Sequence, residues 1–317
     1  MRWRSAAGQD ALVVRARLLA AARSFFASRD ILEVQTPVLI SSTCTDPNIP
    51  SVAARYRHDD AMYLRTSPEH AMKRLLCSGS GDIWQIGPVF RNGELGRYHN
   101  PEFTMIEWYR HGFDHHDMAD ETVALILHLL QSQAQITRMS YAEIFLSATG
   151  LDPHRCAVQD LQDVLLRFDI NTPASMGNRK DDWLDLTLST VVLPTIDPNT
   201  ILIIYDYPES QSALARIRHD SPPVAERFEV FSGGVELANG FHELADAEEQ
   251  RQRFLSEQDR CRKLGIDPPP RDHLLLQAME HGLPDCAGVA LGFDRLLMLA
   301  TGSQKLADVI AFPFDRV

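Results

Sequence analysis

The chain has 317 residues, of which 44% are hydrophobic, and its formal net charge is -12. This length allows one large or two ordinary globular domains, and the negative charge disfavours broad nonspecific binding to nucleic acid, which depends on Lys and Arg. No run approaches the roughly 18 to 20 apolar residues that span a bilayer, and the start lacks the apolar core of a signal peptide, so we expect a cytoplasmic protein without membrane contact.

The first predicted elements are a helix, an extended segment and a second helix. Residues Asp10 to Ser28 show helical spacing of apolar side chains, with Asp10 as a candidate N-cap. The segment ILEVQTPVL alternates as an extended strand would. MYLRTSPEHAMKRLL predicts a strand that leads into a helix, with Ser67 as its cap and Pro68 at its first position. The five cysteines contain no CxxC pair, which favours reduced thiols.

The middle of the chain is predominantly helical in pattern and the last third is rich in strands. The pattern from His116 to about Arg179 predicts a helical insertion, at about 113–190. TILIIYDYP, RFEVF and GVELANGF predict strands, and Gly233 and Gly234 form a hairpin turn between the last two. A helix then ends at Gly265, and GVALGFDRLLML predicts a glycine-rich strand that leads into a helix. The expected fold is α+β, an antiparallel sheet flanked by helices.

The stretch FRNGELGRYHNPEFTMIEWY combines a cationic turn with an aromatic strand. Strand alternation places Phe103, Met105, Glu107 and Tyr109 on one face. A glutamate on an otherwise apolar face needs a partner, because an unpaired buried charge costs several kcal/mol, on the order expected for desolvation. Together with Arg91 before the turn, the pattern indicates a loop that binds phosphates beside a strand that binds an ammonium group.

The stretch FEVFSGGVELANGFHEL contains a second group of carboxylates. A two-residue turn would place Phe231 opposite Glu236, with Glu229 on the same face. Two converging carboxylates repel unless a cation lies between them, and hard oxygen ligands suit Mg²⁺. Three further side chains alternate on the opposite face unless a β-bulge turns the strand over, and we predict that bulge at Ala238 to Gly240. These three are Asn239, Phe241 and Glu243.

The last motif, GVALGFDRLLML, has two features that suit a phosphate site. Gly288 and Gly292 permit close approach of backbone or ligand, and Arg295 opens a helix whose N-terminus favours phosphate.

These blocks together resemble the signature motifs of class II aminoacyl-tRNA synthetases, and most closely the lysine-specific subgroup. FFASRDILEVQTPVL is similar to the first motif, which builds the dimer interface in that family, VFRNGELGRYHNPEFTMIEWY to the second, and GVALGFDRLLML to the third. The resemblance implies one class II catalytic domain over residues 1–317, as a homodimer. Fewer than twenty residues precede the first motif helix, so we expect no anticodon-binding domain and no stable tRNA binding.

Four residues depart from lysyl-tRNA synthetases, namely Ser67, Ala238, His242 and Ala290. All four are similar to a subgroup of shortened paralogues that ligate lysine, usually (R)-β-lysine, onto a lysine of elongation factor P. The resemblance therefore implies an amide-forming, AMP-forming ligase with elongation factor P as its protein acceptor. Ala290 stands where lysyl synthetases typically have glycine, and we hypothesise that its methyl group disfavours α-lysine relative to β-lysine.

The resemblance also implies ATP and Mg²⁺ as cofactors and a role for each candidate residue. Arg91 and Arg295 would be catalytic, Arg91 on the α-phosphate and Arg295 stacked on adenine. The other ATP-binding candidates are Glu94, His99, Asn100, Phe103, Glu229 and Glu236, and the last two would hold Mg²⁺. The candidates for binding the amino acid are Ser67, Glu69, Glu107, Tyr109, Asn239, Phe241, Glu243, Ala290 and Gly292.

Two other functions stay open at this point. The chain could be a truncated lysyl-tRNA synthetase-like enzyme that acts on tRNA or another acceptor, or a catalytically silent ATP-binding regulator. The family usually has glutamate two positions after the motif arginine, where this chain has Gly93 followed by Glu94. Either Glu94 substitutes for that glutamate, or main-chain groups and Phe103 recognise adenine.

Overall fold

A large, mainly antiparallel sheet forms the centre of the computed structural model, which describes residues 3–57, 60–173 and 176–317. The strands are β1 (Leu32–Glu33), β2 (Leu39–Ile40), β3 (Val52–Tyr56), β4 (Asp60–Leu64), β5 (Ile83–Phe90), β6 (Glu102–His111), β7 (Ile136–Ser140), β8 (Ile201–Pro208), β9 (Ile217–Arg218), β10 (Val224–Ser232), β11 (Val235–His242) and β12 (Cys286–Gly292). The helices are α1 (Gln9–Ala27), α2 (Glu69–Cys77), α3 (His115–Leu130), α4 (Tyr141–Thr149), α5 (Val158–Arg167), α6 (Lys180–Thr187), α7 (Ala247–Lys263), α8 (His273–Gly282) and α9 (Phe293–Thr301).

The strand order in the main sheet is β1-β5-β6-β12-β11-β10-β8-β7, with β9 also paired to β10. The pairs β1–β5 and β7–β8 are parallel, and the other pairs in this sheet are antiparallel. Strands β2, β4 and β3 form a separate small sheet. The predicted α+β fold, an antiparallel sheet flanked by helices, is confirmed.

The two faces of the sheet are covered by different helices. Helices α1, α3 and α9 pack on one face in a core that includes Phe26, Trp108 and Leu296. Helices α4, α5 and α6 cover β8 and β10 on the other face, around Tyr141 and Trp183. The rest of that second face, on β6, β12 and β11, lines an open cleft.

Several local predictions need correction. Helix α1 begins at Gln9, so Asp10 lies in its first turn and Gly8 is the N-cap. Helix α2 begins at Glu69 with Pro68 as N-cap, so Ser67 does not cap it. Both errors are shifts along the chain, since helix boundaries depend on backbone angles that a capping pattern predicts only approximately.

The predicted helical insertion is interrupted by a strand. Strand β7 pairs in parallel with β8 at the sheet edge, and α3 packs on the main core. A short polar-flanked strand has too few residues for its period to stand out between helices. Residues 174 and 175 of this region lie outside the described residues, and the division of the chain into one domain with an insertion stays a prediction.

The cysteines, all of which the structure describes, form no disulfide bond. All five are free thiols, as their spacing predicted. Among the helices within the described ranges, none has the length and apolar composition that a membrane crossing requires.

Candidate active site

A cleft of about 770 Å³ lies over β6, β12, β11 and β10, with α2 and α7 supplying one wall. Every residue that the sequence indicated as a candidate for binding ATP, metal or amino acid lines this cleft. The structure therefore brings the three motifs into one site, although it does not by itself assign a role to each residue.

Strand register explains why residues far apart in sequence meet. Glu107 pairs with Ala290, Ala290 with Asn239, and Asn239 with Glu229, so these four lie side by side across four strands. Paired residues of adjacent strands point to the same face of the sheet. This row of side chains forms the floor of the cleft.

A β-bulge in β11 turns the strand over, as the sequence required. Val230 pairs with Ala238 and Phe231 with Glu236, which leaves Leu237 as the extra residue. The bulge thus lies at Leu237, one residue before the predicted range. The hairpin turn is the expected one, because Gly233 and Gly234 have φ of 57° and 75°, which favour glycine.

One end of the cleft is cationic and aromatic. Arg91 follows β5, and its guanidinium carbon lies 5.2 Å from the ring centre of Phe103. Its Nη1 lies 3.6 Å from Glu94 Oε1, and its buried Nε has no hydrogen-bond partner among the described residues. Gly93 has φ of +77°, and a Cβ atom at this position would meet no neighbour within 4 Å, so the turn conformation, rather than close packing, calls for glycine there.

Arg295 lies at the same end, in the first turn of α9. Its Nη1 donates to the Glu236 carbonyl at 2.9 Å, and its Nη2 lies 3.0 Å from His99 Nε2. Burial and the neighbouring guanidinium of Arg295 lower the pKa of His99, so the imidazole is neutral near pH 7 and its Nε2 accepts a hydrogen bond. This end of the cleft suits the anionic phosphates and the flat ring of a nucleotide.

Two more carboxylates of the cleft are Glu229, in the row of the floor, and Glu236, whose Oε2 lies 3.6 Å from Arg295 Nη1 at the cationic end. Tyr207 Oη donates to Glu229 Oε2 at 2.7 Å, and Arg227 Nη2 donates to Glu229 Oε1. Burial raises the pKa of Glu229 to about 7 despite Arg227, and the charge of Glu236 adds to the rise. Each carboxylate oxygen keeps a second lone pair, so this pair of hard, mutually repelling donors fits Mg²⁺.

The other end of the cleft is buried and anionic. Glu107 is 3% exposed, and Tyr109 Oη donates to its Oε1 at 2.8 Å. Burial and the nearby Glu69 raise the pKa of Glu107 to about 8, although the Tyr109 hydrogen bond and the charge of Lys73 oppose the rise. A ligand with an ammonium group would add a positive charge beside it.

Glu243 lies beside Glu107 at this closed end. Its Oε2 is 2.6 Å from Lys73 Nζ, and Lys73 also lies 2.7 Å from Glu69 Oε1. Burial raises the pKa of Glu243 to about 7, although Lys73 opposes the rise. Gly288 makes this arrangement possible, since a Cβ atom there would collide with Tyr109 and the Glu243 carboxylate.

Two candidates have structural contacts of their own. The Asn100 side chain donates to the Glu102 carbonyl at 2.6 Å and accepts from the Phe314 amide at 3.0 Å, so it holds the hairpin against the C-terminus. Ser67 lies on the cleft wall just before α2. Their assignments to ATP and amino acid binding stay predictions.

The cleft also contains charged residues that the sequence analysis did not single out. Arg227 lies two residues before Glu229 on the same strand, so the alternation rule used for Glu229 applied to it as well. Lys73 is four residues after Glu69, a spacing typical of an exposed helix pair, and gave no signal of burial. Other such residues that line the cleft are Asp46, His70, Arg179, Asp181, Asp185, Arg253, Glu257, Arg260 and Asp294.

The comparisons with known proteins agree with this geometry. Residues 1–316 match the family model described as tRNA synthetases class II (D, K and N). Proteins named elongation factor P--(R)-beta-lysine ligase from Vibrio cholerae, Vibrio atlanticus and Yersinia enterocolitica are 46%, 44% and 43% identical to this chain, and each alignment covers 99% of the chain and 98% of the relative. The chain therefore belongs to the class II tRNA synthetase family of the D, K and N type.

Proposed function

We propose that this protein is an ATP-dependent ligase that activates (R)-β-lysine, or lysine, and transfers it to the ε-amine of a lysine of elongation factor P. The observation that carries the proposal is the division of a single cleft into a cationic, aromatic end and a closed anionic end. An aminoacyl-adenylate with a basic amino acid has the complementary distribution of charge. The names of the relatives, which align over nearly their whole length, support the choice of amino acid and acceptor.

In the first step, the substrate carboxylate attacks the α-phosphorus of ATP and pyrophosphate leaves. We assign Arg91 to the negative charge that develops on the phosphoryl oxygens, and Phe103 and Arg295 to the adenine ring. His99 would reach the terminal phosphates. Glu229 and Glu236 would hold Mg²⁺, which neutralises phosphate charge when bound.

The amino acid would lie over the buried floor of the cleft. We assign the side-chain ammonium of the substrate to Glu107 and Glu243, and its other amino group to Glu69. Ala290 lies between Glu107 and Asn239 in the floor, so its methyl group is in position to discriminate between amino acids that place this second amino group differently. Tyr109 and Phe241 would complete the pocket.

In the second step, the ε-amine of the acceptor lysine attacks the carbonyl carbon of the mixed anhydride. The C–N bond forms as the C–O bond to phosphate breaks, and AMP leaves with the electron pair. The amine has to lose its proton before it attacks, since an ammonium nitrogen has no free lone pair. We further propose that the protein is cytoplasmic. We also propose that it works as a homodimer, and light scattering after size-exclusion chromatography would test this oligomeric state.

The acceptor decides between this proposal and its alternatives. The protein would be incubated with ATP and labelled (R)-β-lysine, together with either elongation factor P or tRNA. We expect label on elongation factor P and none on tRNA, and an Arg91→Ala variant should transfer label to elongation factor P far more slowly. Label on tRNA would instead support a synthetase-like enzyme, and no pyrophosphate exchange with either lysine isomer would support a silent regulator.

A further inference from the structure

Lys73 is a buried cation directly beneath the closed end of the cleft. Its side chain is 1% exposed, and its Nζ lies 2.7 Å from Glu69 Oε1 and 2.6 Å from Glu243 Oε2. Burial would lower the pKa of Lys73, but Glu243 and Glu69 outweigh that effect and raise it above its ordinary value. Lys73 is therefore a permanent positive charge that ties helix α2 to the end of β11.

Both partners of Lys73 line the cleft, whereas Lys73 itself lies behind them. A lysine with a purely structural role would pair with carboxylates that face away from the ligand. Here the ammonium fixes the positions of two carboxylates that a bound substrate would meet. Because a buried ion pair is rigid only when both partners are present, removal of the lysine would leave both glutamates without the contact that fixes them.

Glu107 differs from these two carboxylates. It accepts a hydrogen bond from Tyr109, and within the described ranges no basic side chain lies within salt-bridge distance of it. Lys73 contacts the other two carboxylates of the closed end, whereas the buried Arg65 guanidinium lies close enough to Glu107 for their charges to interact. A ligand ammonium group would add a positive charge beside these three carboxyl groups.

We infer that Lys73 is a positioning residue for the substrate amino groups, which holds the Glu69 and Glu243 carboxyl groups in the places where these amino groups would meet them. This inference rests on the proposed function. Lys73 acts through the two carboxylates and does not touch the substrate.

The charged and titratable groups that face Lys73 come from four parts of the fold. They are Glu69 and Cys77 on α2, Glu107 on β6, Glu243 after β11, and Cys286 on β12. The two glutamates in direct contact respond first when Lys73 is lost, because the Coulomb interaction falls with distance.

The test is the Lys73→Met variant, which keeps the length of the side chain and removes its charge. In pyrophosphate exchange we expect the KM for (R)-β-lysine to rise about tenfold or more, with the KM for ATP changed less than about twofold. The pH at which kcat/KM for the amino acid reaches half its maximum should rise by about one unit, because the positive charge of Lys73 lowers the pKa of Glu243 and its loss removes that effect. Arg74→Met, at the next and exposed position of α2, is the matched control and should change neither value.

A merely structural role would reduce the active fraction, and thus kcat, without moving the KM for the amino acid or its pH profile. That result for Lys73→Met would overturn the inference. If Lys73→Met does not fold, Glu69→Gln and the Glu69→Gln/Lys73→Met double variant replace it. The double variant removes both members of one ion pair, and its KM for β-lysine should exceed that of Glu69→Gln by about threefold or more, since Glu243 also loses its partner.

Equal KM values for these two variants would overturn the inference as well. Failure of the proposed function has a different signature, because the unmodified protein would then show no exchange with either lysine isomer. Exchange by the unmodified protein, together with an unchanged Lys73→Met variant, would contradict the role of Lys73 alone.

Discussion

The two ends of the cleft differ in how far their charged side chains are exposed to water. At the closed end, Glu107 and Glu243 are 3% and 2% exposed. At the open end, the side chains of Arg91, Arg295 and Glu236 are 26%, 21% and 42% exposed. Buried charges are costly unless their partners are in place, whereas partly solvated charges can be left without one.

Because of this difference, we expect a substitution to affect ligand binding alone at the open end, and both ligand binding and folding stability at the closed end. A substitution at the open end removes an interaction with the ligand and leaves water to solvate what remains. A substitution at the closed end also changes the free energy of unfolding, because water does not reach the remaining buried charges to solvate them. Four substitutions test this contrast.

The largest effect on catalysis is expected at the open end. Arg91→Ala should lower kcat/KM for ATP in pyrophosphate exchange by about 100- to 1000-fold, because it removes the cation assigned to the reacting phosphate. Its free energy of unfolding should change by less than about 1 kcal/mol, since its ion pair with Glu94 is long and partly solvated. Arg97→Ala, on the same hairpin but outside the cleft, is the control for activity, and urea denaturation measures stability. A large loss of stability in Arg91→Ala would contradict the expectation that substitutions at the open end leave folding stability unchanged.

Glu107→Gln should separate activity from stability at the closed end. We expect activation of the amino acid to fall about 100-fold, because the variant cannot pair with an ammonium group. The pKa of Glu107 is raised to about 8 from an ordinary 4.5, so this carboxyl group stays protonated in the folded protein while it ionises in the unfolded chain. Its contribution to stability is thus lost as pH rises between these two values.

The stability of Glu107→Gln relative to the unmodified protein should therefore increase from pH 5 to pH 8, by about 1 to 3 kcal/mol. Urea denaturation at the two pH values measures this difference. A difference that stays constant with pH would show that Glu107 does not titrate abnormally in the folded state.

Ala290→Gly should change selectivity more than activity. Removal of one methyl group from the cleft floor is expected to shift the ratio of α-lysine to β-lysine activation about tenfold in favour of α-lysine, in line with about 1 to 3 kcal/mol for a group of this size. Pyrophosphate exchange with each isomer gives the ratio. If the ratio is unchanged, Ala290 does not determine isomer preference.

Glu94→Ala should have the smallest effect. Glu94 is partly solvated and pairs with Arg91 at 3.6 Å, so its loss should raise the KM for ATP only about two- to fivefold. That result would support a contact between Glu94 and adenine that Gly93 cannot make. An unchanged KM would instead leave adenine recognition to main-chain groups and Phe103.

Much of the site was predictable because strand geometry is local. Alternation alone placed Glu107 and Tyr109 on one face, and the two glycines of the turn predicted that Phe231 and Glu236 pair. The need for five polar or aromatic residues to share a pocket predicted a bulge in β11, and the structure has it one residue earlier. The register decided that position, because several bulge sites turn the strand over equally well.

Lys73 shows what local patterns leave undetermined. Its spacing from Glu69 is the same in an exposed helix pair and in a buried one. Burial follows from the packing of α2 against the sheet beside Glu243, which lies 170 positions later in the chain. Strand β7 was missed for a related reason, because its place is set by pairing with β8 and its own sequence is too short to indicate it.

The sequence by itself determined the order of most elements, the three motifs and the faces that carry their polar residues, because these depend on backbone period and turn chemistry. Only the tertiary structure decided which charges are buried, which carboxylates share one lysine, and that a single cleft has an open cationic end and a closed anionic end. Those properties depend on the distances between elements and on the exclusion of water, and neither is encoded in any one segment of the chain.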